Sequence, residues 1–108
     1  MPLISQAYAL PEERLFKATK PKRHVVWHFD AAISVEATAG EFHTSLDSNG
    51  KPSKVSTAYS VSRKGGIFEY YNPAKYWSWH TGSGQDLDEV AIGAVSYTHL
   101  TLPTNREV

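Results

Sequence analysis

The sequence predicts an α/β fold of the α+β-like kind, a mixed β-sheet with packed helices. Three observations carry that expectation. The run His24-Val25-Val26-Trp27-His28-Phe29 is β-branched and aromatic, the composition of a strand. An apolar stripe at helical spacing follows it. Two alternating segments then flank Arg63-Lys64-Gly65-Gly66, the pattern of a β-hairpin. The order strand, helix, hairpin, loop, strand places a helix against a mixed sheet.

Taken in order, residues 1–23 carry Pro2, Pro11 and Pro21 among scattered charges. They read as an extended lead-in with one helical turn near Glu12–Phe16. Residues 24–29 are the first strand. Ser34 is the expected N-cap of a helix in which Val35, Ala39, Phe42 and Leu46 share one face. Ser48-Asn49-Gly50-Lys51-Pro52 ends it with turn chemistry. In the hairpin, Tyr59 and Val61 alternate with Ser60 and Ser62; Ile67, Glu69 and Tyr71 alternate with Phe68 and Tyr70. After Asn72-Pro73 comes an aromatic loop, "KYWSWHTGSG", and then a strand over Val90–Val95.

The last stretch, "VSYTHLTLPTNREV", has no clear periodicity. Residues 95–104 match the conceptual translation of a common transposon-type sequencing adapter, so the natural sequence is expected to stop near Ala94. The competing reading is a genuine, irregular extension. The expected organisation is a lead-in over 1–23, a domain over 24–94 and a non-native tail over 95–108.

Composition narrows the function. Eleven basic residues balance eleven acidic ones among 108, which gives no steering toward nucleic acid or an anionic membrane. The cluster Lys17, Lys20, Lys22 and Arg23 reads as a solvated linker. Cysteine is absent, which excludes disulfides and thiolate ligands within these residues. "MPLISQAYALPEERLF" lacks the basic and apolar regions of a signal peptide. No stretch approaches the roughly 20 apolar residues of a membrane span. A protein made in the cytoplasm is expected, and action outside the cell would need a separate release agent.

Five histidines are the candidates for chemistry. His24 and His28 have an H-x-x-x-H spacing, but on a strand they lie roughly 13 Å apart, too far to share one ion. The Glu of a metalloprotease helix is also missing after the first His. His24 therefore reads as a surface residue, His43 as a partly exposed structural one, and His99 belongs to the tail. His28, at a strand end, is either hydrogen-bonded structure or a ligand. His80, within Trp77-Ser78-Trp79-His80-Thr81-Gly82, belongs either to a packed aromatic corner or to the wall of a carbohydrate or peptide groove.

In their order along the chain these motifs resemble the zinc-dependent N-acetylmuramoyl-L-alanine amidases of the type 2 family. That family includes phage endolysin domains and shares its fold with peptidoglycan recognition proteins. Its domains begin with an apolar strand ending in His, like "VVWHFDA" here. A hairpin of the form V-S-A-H-Y-V-I-D-R-D-G is matched at Val55, Ser56, Tyr59, Arg63 and Gly65. W-H-A-G is matched by Trp79-His80-Thr81-Gly82, and S-I-G-I-E in part by Ala91-Ile92-Gly93-Ala94. The resemblance covers residues 24–94.

The resemblance implies a catalytic zinc with three protein ligands and a bound water. The metal would activate that water against the amide between muramic acid and L-alanine, with a general base taking the proton. It implies that His28 is the first zinc ligand and that Trp79 and His80 wall the substrate groove, while Tyr59 packs in the sheet. Three departures stand against full activity. Ala58 and Thr57 occupy hairpin positions where the family carries His or Tyr. The Glu of S-I-G-I-E falls on Val95, so no catalytic residue is assigned. The family's second His and its Cys or Asp ligand come from a later segment, and a lone His28 cannot hold zinc stably.

The expectation is therefore a parent peptidoglycan amidase, endolysin-like, monomeric, acting on peptidoglycan or muropeptides and using Zn2+ in its complete domain. The chain as written is expected to be inactive. The absence of a signal peptide suits a released endolysin and equally a cytoplasmic recycling amidase. The rival readings are a muropeptide-binding module without hydrolysis and an unrelated small α+β binding domain.

Overall fold

The computed structural model describes residues 4–29, 34–62 and 65–96. Along the chain these form β1 (Ile4–Ser5), a 3-10 turn (Glu12–Arg14), β2 (Phe16–Lys17), β3 (His24–Phe29), α1 (Val35–Thr44), β4 (Tyr59–Val61), β5 (Ile67–Glu69), β6 (Tyr76–Trp77), α2 (Gln85–Asp88) and β7 (Ala91–Ser96). Among the described residues, five strands make one mixed sheet in the order β1-β5-β4-β7-β3, and β2 pairs with β6 in a second. The mixed sheet with packed helices is as expected from the sequence. No helix among the described residues is long and apolar enough to cross a membrane.

Three strands of the sheet, β3, β7 and β4, run parallel, with β7 between the other two. The β3 register pairs His28 with Val95 and Phe29 with Ser96; on the other side Ser60 also faces Val95. The expected hairpin is antiparallel, pairing Tyr59 with Glu69 and Val61 with Ile67. Gly65, at φ 90°, takes the left-handed conformation its turn requires. Arg63 and Lys64 lie outside the described residues.

Within α1 the sequence pattern holds for most of its length. Ser34 accepts a hydrogen bond from the Ala37 N–H at 3.2 Å, as an N-cap does. Val35 and Ala39 are buried, and the Phe42 ring meets Tyr70 edge-on with centroids 5.0 Å apart. Leu46 breaks the stripe. The helix stops at Thr44, so Leu46 leaves the helical face and is 61% exposed. What holds that terminus is Arg14, whose Nη1 donates to the carbonyls of Phe42 (3.2 Å) and Ser45 (2.7 Å). A cation there satisfies carbonyls that have no partner within the helix.

Residues 4–17 pack onto the domain. β1 pairs in parallel with β5, the Leu10 N–H donates to the Tyr70 carbonyl at 2.8 Å, and Leu10 and Leu15 join the core with Ala39, Ala58, Tyr70 and Tyr71. The expected helical turn appears as the 3-10 turn at Glu12–Arg14.

Two further details depart from simple alternation. Ser60, not its neighbours Tyr59 and Val61, is the fully buried residue of β4, and its hydroxyl shares a 2.8 Å hydrogen bond with the Tyr70 phenol. β5 ends at Glu69, so Tyr70 and Tyr71 are both buried. The Tyr71 hydroxyl reaches Ser78 Oγ at 2.9 Å, and Ser78 donates to the Ser56 carbonyl. The "aromatic loop" contains β6, whose Trp77 pairs with Phe16 of β2 and stacks on its ring at 4.3 Å.

At the sheet edge, β3 turns Val25, Trp27 and Phe29 outward, with Phe29 75% exposed. Side chains alternate across a strand, so His28 faces the other way. His24 is exposed, as anticipated. Residues 97–108, including His99, lie outside the described residues.

Candidate functional site

Because β3 and β7 are parallel, their C-terminal ends lie at one end of the sheet, where open α/β sheets characteristically bind ligands. His28 stands there, half-buried, beside Val95. The second imidazole arrives from the segment after β6. That segment is anchored to the 54–56 stretch: the Trp79 N–H donates to the Lys54 carbonyl (2.9 Å) and the Ser56 N–H to the Trp79 carbonyl (3.1 Å). His80, the next residue, is thereby carried to His28. His28 Nε2 and His80 Nδ1 are 3.4 Å apart, and the rings meet edge-to-face with centroids at 5.6 Å.

The His80 ring is held tightly. Its side chain is 1% exposed. Gly93 of β7 lies against it, where a Cβ would come within 2.8 Å of Nδ1 and 3.2 Å of Thr57 Cγ2. Behind the ring is Asp88, the last residue of α2, fully buried. Asp88 Oδ2 accepts from the His80 N–H (3.1 Å), and Oδ1 accepts from the Thr81 N–H (3.2 Å) and hydroxyl (2.5 Å). His80 Nε2 lies 3.8 Å from Oδ1 and has no hydrogen-bond partner within the described residues. Burial pulls the His80 imidazole below its ordinary value and His28 pushes the same way; Asp88 and the main chain at Ala91 and Asp88 oppose them.

One cavity is lined by this pair, and a second adjoins it. A small one of about 170 Å³ is lined by His28, His80, Thr57, Ser56 and Val95. A larger groove of about 690 Å³ is lined by Trp79, Phe16, Lys54, Glu41 and Asp47. Phe42 and Val55 line both, so the two are neighbours. Lys54 is fixed over the Phe16 ring at 5.2 Å by donating to the Glu13 carbonyl at 2.7 Å. The Trp79 ring meets both Phe16 and Trp77 edge-on.

Of the residues singled out from sequence, His28 and His80 are therefore brought together. Trp79 lines the adjoining groove rather than the histidine cavity. Val95 presents an apolar side chain in the histidine cavity, at the position where the resemblance places a carboxylate. The sequence marks Gly93 only as part of the Ala91–Ala94 motif match and does not mark Asp88. A glycine inside an apolar strand, as in "AIGA", was a readable sign of close approach. Nothing local marks Asp88, whose role depends on the α2 turn returning it to His80.

The donor set does not fit a catalytic zinc, which takes three protein ligands. Among the described residues no group of three His, Cys, Asp or Glu converges to hold a metal. Asp88 lies on the far side of the His80 ring from His28, with its oxygens engaged by Thr81 and the main chain. Comparison with protein-family models, curated proteins and solved structures finds no match to this chain.

Proposed function

We propose that the chain carries, over residues 24–94, the N-terminal part of a zinc-dependent N-acetylmuramoyl-L-alanine amidase domain, endolysin-like, whose remaining metal ligands come from natural sequence that follows Ala94. The observation that supports this most is the 3.4 Å meeting of His28 and His80 at the C-terminal end of parallel β3 and β7, next to a groove walled by Trp79. His28 is the ligand this chain supplies to the complete zinc site. His80 packs behind it, and Trp79 offers an aromatic face on which a sugar or stem peptide can lie. With half of that metal site absent from the chain as written, the chain alone is expected to perform no hydrolysis.

The test compares this chain with one extended by its natural downstream sequence, each incubated with Zn2+ and purified peptidoglycan. The extended chain is expected to release peptides beginning with L-alanine, and the 108-residue chain none. Cleavage by the short chain overturns its inactivity; absence of both cleavage and muropeptide binding in the extended chain overturns the amidase reading. If the sequence from Val95 on is genuine, Val95 in the cavity favours a second reading, a muropeptide-binding module without hydrolysis. Calorimetric muropeptide binding with no cleavage by the extended chain would select it.

A further inference from the structure

We propose that the open face of the sheet at β3 seats an amphipathic helix from the natural sequence that follows Ala94, its apolar stripe laid on Val25, Trp27 and Phe29. The inference rests on the amidase reading only for a natural sequence that continues past Ala94. Cross-strand partners share a face, so these three side chains stand in one layer with Ile92, Ala94 and Val61. The opposite layer, with Val95, Ser60 and Phe68 in register, is the one α1 covers through Val35. On the open layer Val25 is 58%, Trp27 56% and Phe29 75% exposed. This inverts the pattern of a half-exposed strand. His24 and His28 stand on the α1 side with Val26 between them, and the bulky apolar residues meet solvent. Since β3, β7 and β4 are parallel, and parallel strands are built to be buried on both faces, this layer is made for a cover.

Topology and area name the occupant. β3 passes through α1 to β4, which runs parallel to it with β7 between them, and that crossover takes one face. Such crossovers are right-handed. A connection leaving β7 in the opposite direction, outward past the edge strand β3, therefore takes the other face, which carries Trp27. Aromatic side chains present about 150–250 Å² each, so the three residues leave roughly 350 Å² open, less than half of what one partner gives a stable dimer. A second copy of the chain falls short of that area, whereas a helix of the same chain avoids the entropy lost on association. The six residues of β3 span roughly 20 Å, which a helix of about 13 residues covers.

The test uses the chain extended by its natural downstream sequence and hydroxyl-radical footprinting read by mass spectrometry. Trp77, buried where β2 meets β6, is the internal reference. In the 108-residue chain Trp27 is expected to react several-fold faster than Trp77; in the extended chain the two are expected to react alike, with Phe29 shielded as well. Trp27→p-benzoylphenylalanine in the extended chain then identifies the cover by photo-cross-linking. A cross-link to the downstream segment of the same chain supports the proposal. A cross-link to a second copy overturns it, as does a Trp27 that stays reactive while Trp77 is protected. A natural reading frame with no amphipathic segment of that length after Ala94 overturns it too. No readout involves peptidoglycan or a metal. An extended chain that shields Trp27 yet neither binds nor cleaves peptidoglycan fails the amidase reading alone, and one that cleaves with Trp27 bare fails this inference alone.

Discussion

Gly93 and His80 compete for one volume: a Cβ on Gly93 would stand 2.8 Å from His80 Nδ1 and 3.0 Å from its Cγ. Overpacking a closed site costs roughly 1–3 kcal/mol, while the backbone gain of Gly→Ala is below about 1 kcal/mol. Gly93→Ala is therefore expected to lower stability by about 1–2 kcal/mol in urea unfolding. His80 must move, so its ring resonances should shift along with those of His28. A variant as stable as the parent, with unshifted ring signals, would contradict the geometry.

Arg14 is buried with its guanidinium on the last carbonyls of α1. Hydrogen bonds from a charged donor contribute about 1.5–3 kcal/mol, and their removal leaves buried acceptors unpaired. Arg14→Ala should therefore cost about 2–3 kcal/mol by urea denaturation. Arg14→Lys, with one ammonium in place of a fork, should recover part of that loss.

At the start of the same helix, Ser34→Ala removes the acceptor for the Ala37 N–H. The expected loss is about 1 kcal/mol, with Ser34→Gly milder by some tenths. Thermal unfolding followed by circular dichroism would resolve the two.

Tyr71 makes stability depend on alkaline pH. Burial is the main force that pushes its phenol up to about 12, with smaller contributions from Asp88 and Tyr59 in the same direction, while the Ser78 hydrogen bond opposes them. The unfolded phenol ionises near pH 10. The contribution of the neutral folded form is thus complete below pH 10, falls between 10 and 12, and is lost above. About 3 kcal/mol should disappear over that window by linkage. Tyr71→Phe is expected to be about 1 kcal/mol less stable at pH 7, since Ser78 loses its donor, yet to decline less steeply above pH 10. Urea unfolding at pH 8, 10 and 11 checks both, and equal slopes would refute the assignment.

The local signals in the sequence carried β3, α1, the β4–β5 hairpin and β7, because each rests on periodicity, composition or a cap, while β1, β2, β6 and α2 carry none strong enough to read. Ser34 and the Val25–Trp27 run are examples. Leu46 shows the limit: its spacing continues the stripe, but the helix ends before it, where Arg14 from a distant segment seals the carbonyls. The sequence left open whether the Pro-bearing lead-in packs on the domain; Leu10 and Leu15 reach the core. For the site, His28 and His80 could be named from their motifs. Their contact could not, since it follows from β3 lying beside β7. Asp88 is visible only after that pairing, because its partner is eight residues back and joined to it through a turn.

The place of β7 also fixes when the site can exist. β7 lies between β3 and β4, yet it is the last of these strands in the chain. Parallel pairing over such separations must first meet the entropy of closing a long loop, and topologies of this kind fold slowly. In the sheet β3 pairs with β7 and not with the hairpin, so β3 cannot join the sheet before residues 91–96 are in place. Only arrival of residues 91–96 draws β3 against the hairpin and brings His80 over Gly93. The His28–His80 contact therefore depends on that pairing, and a refolding experiment that follows their ring-to-ring signal is expected to report closure of the sheet.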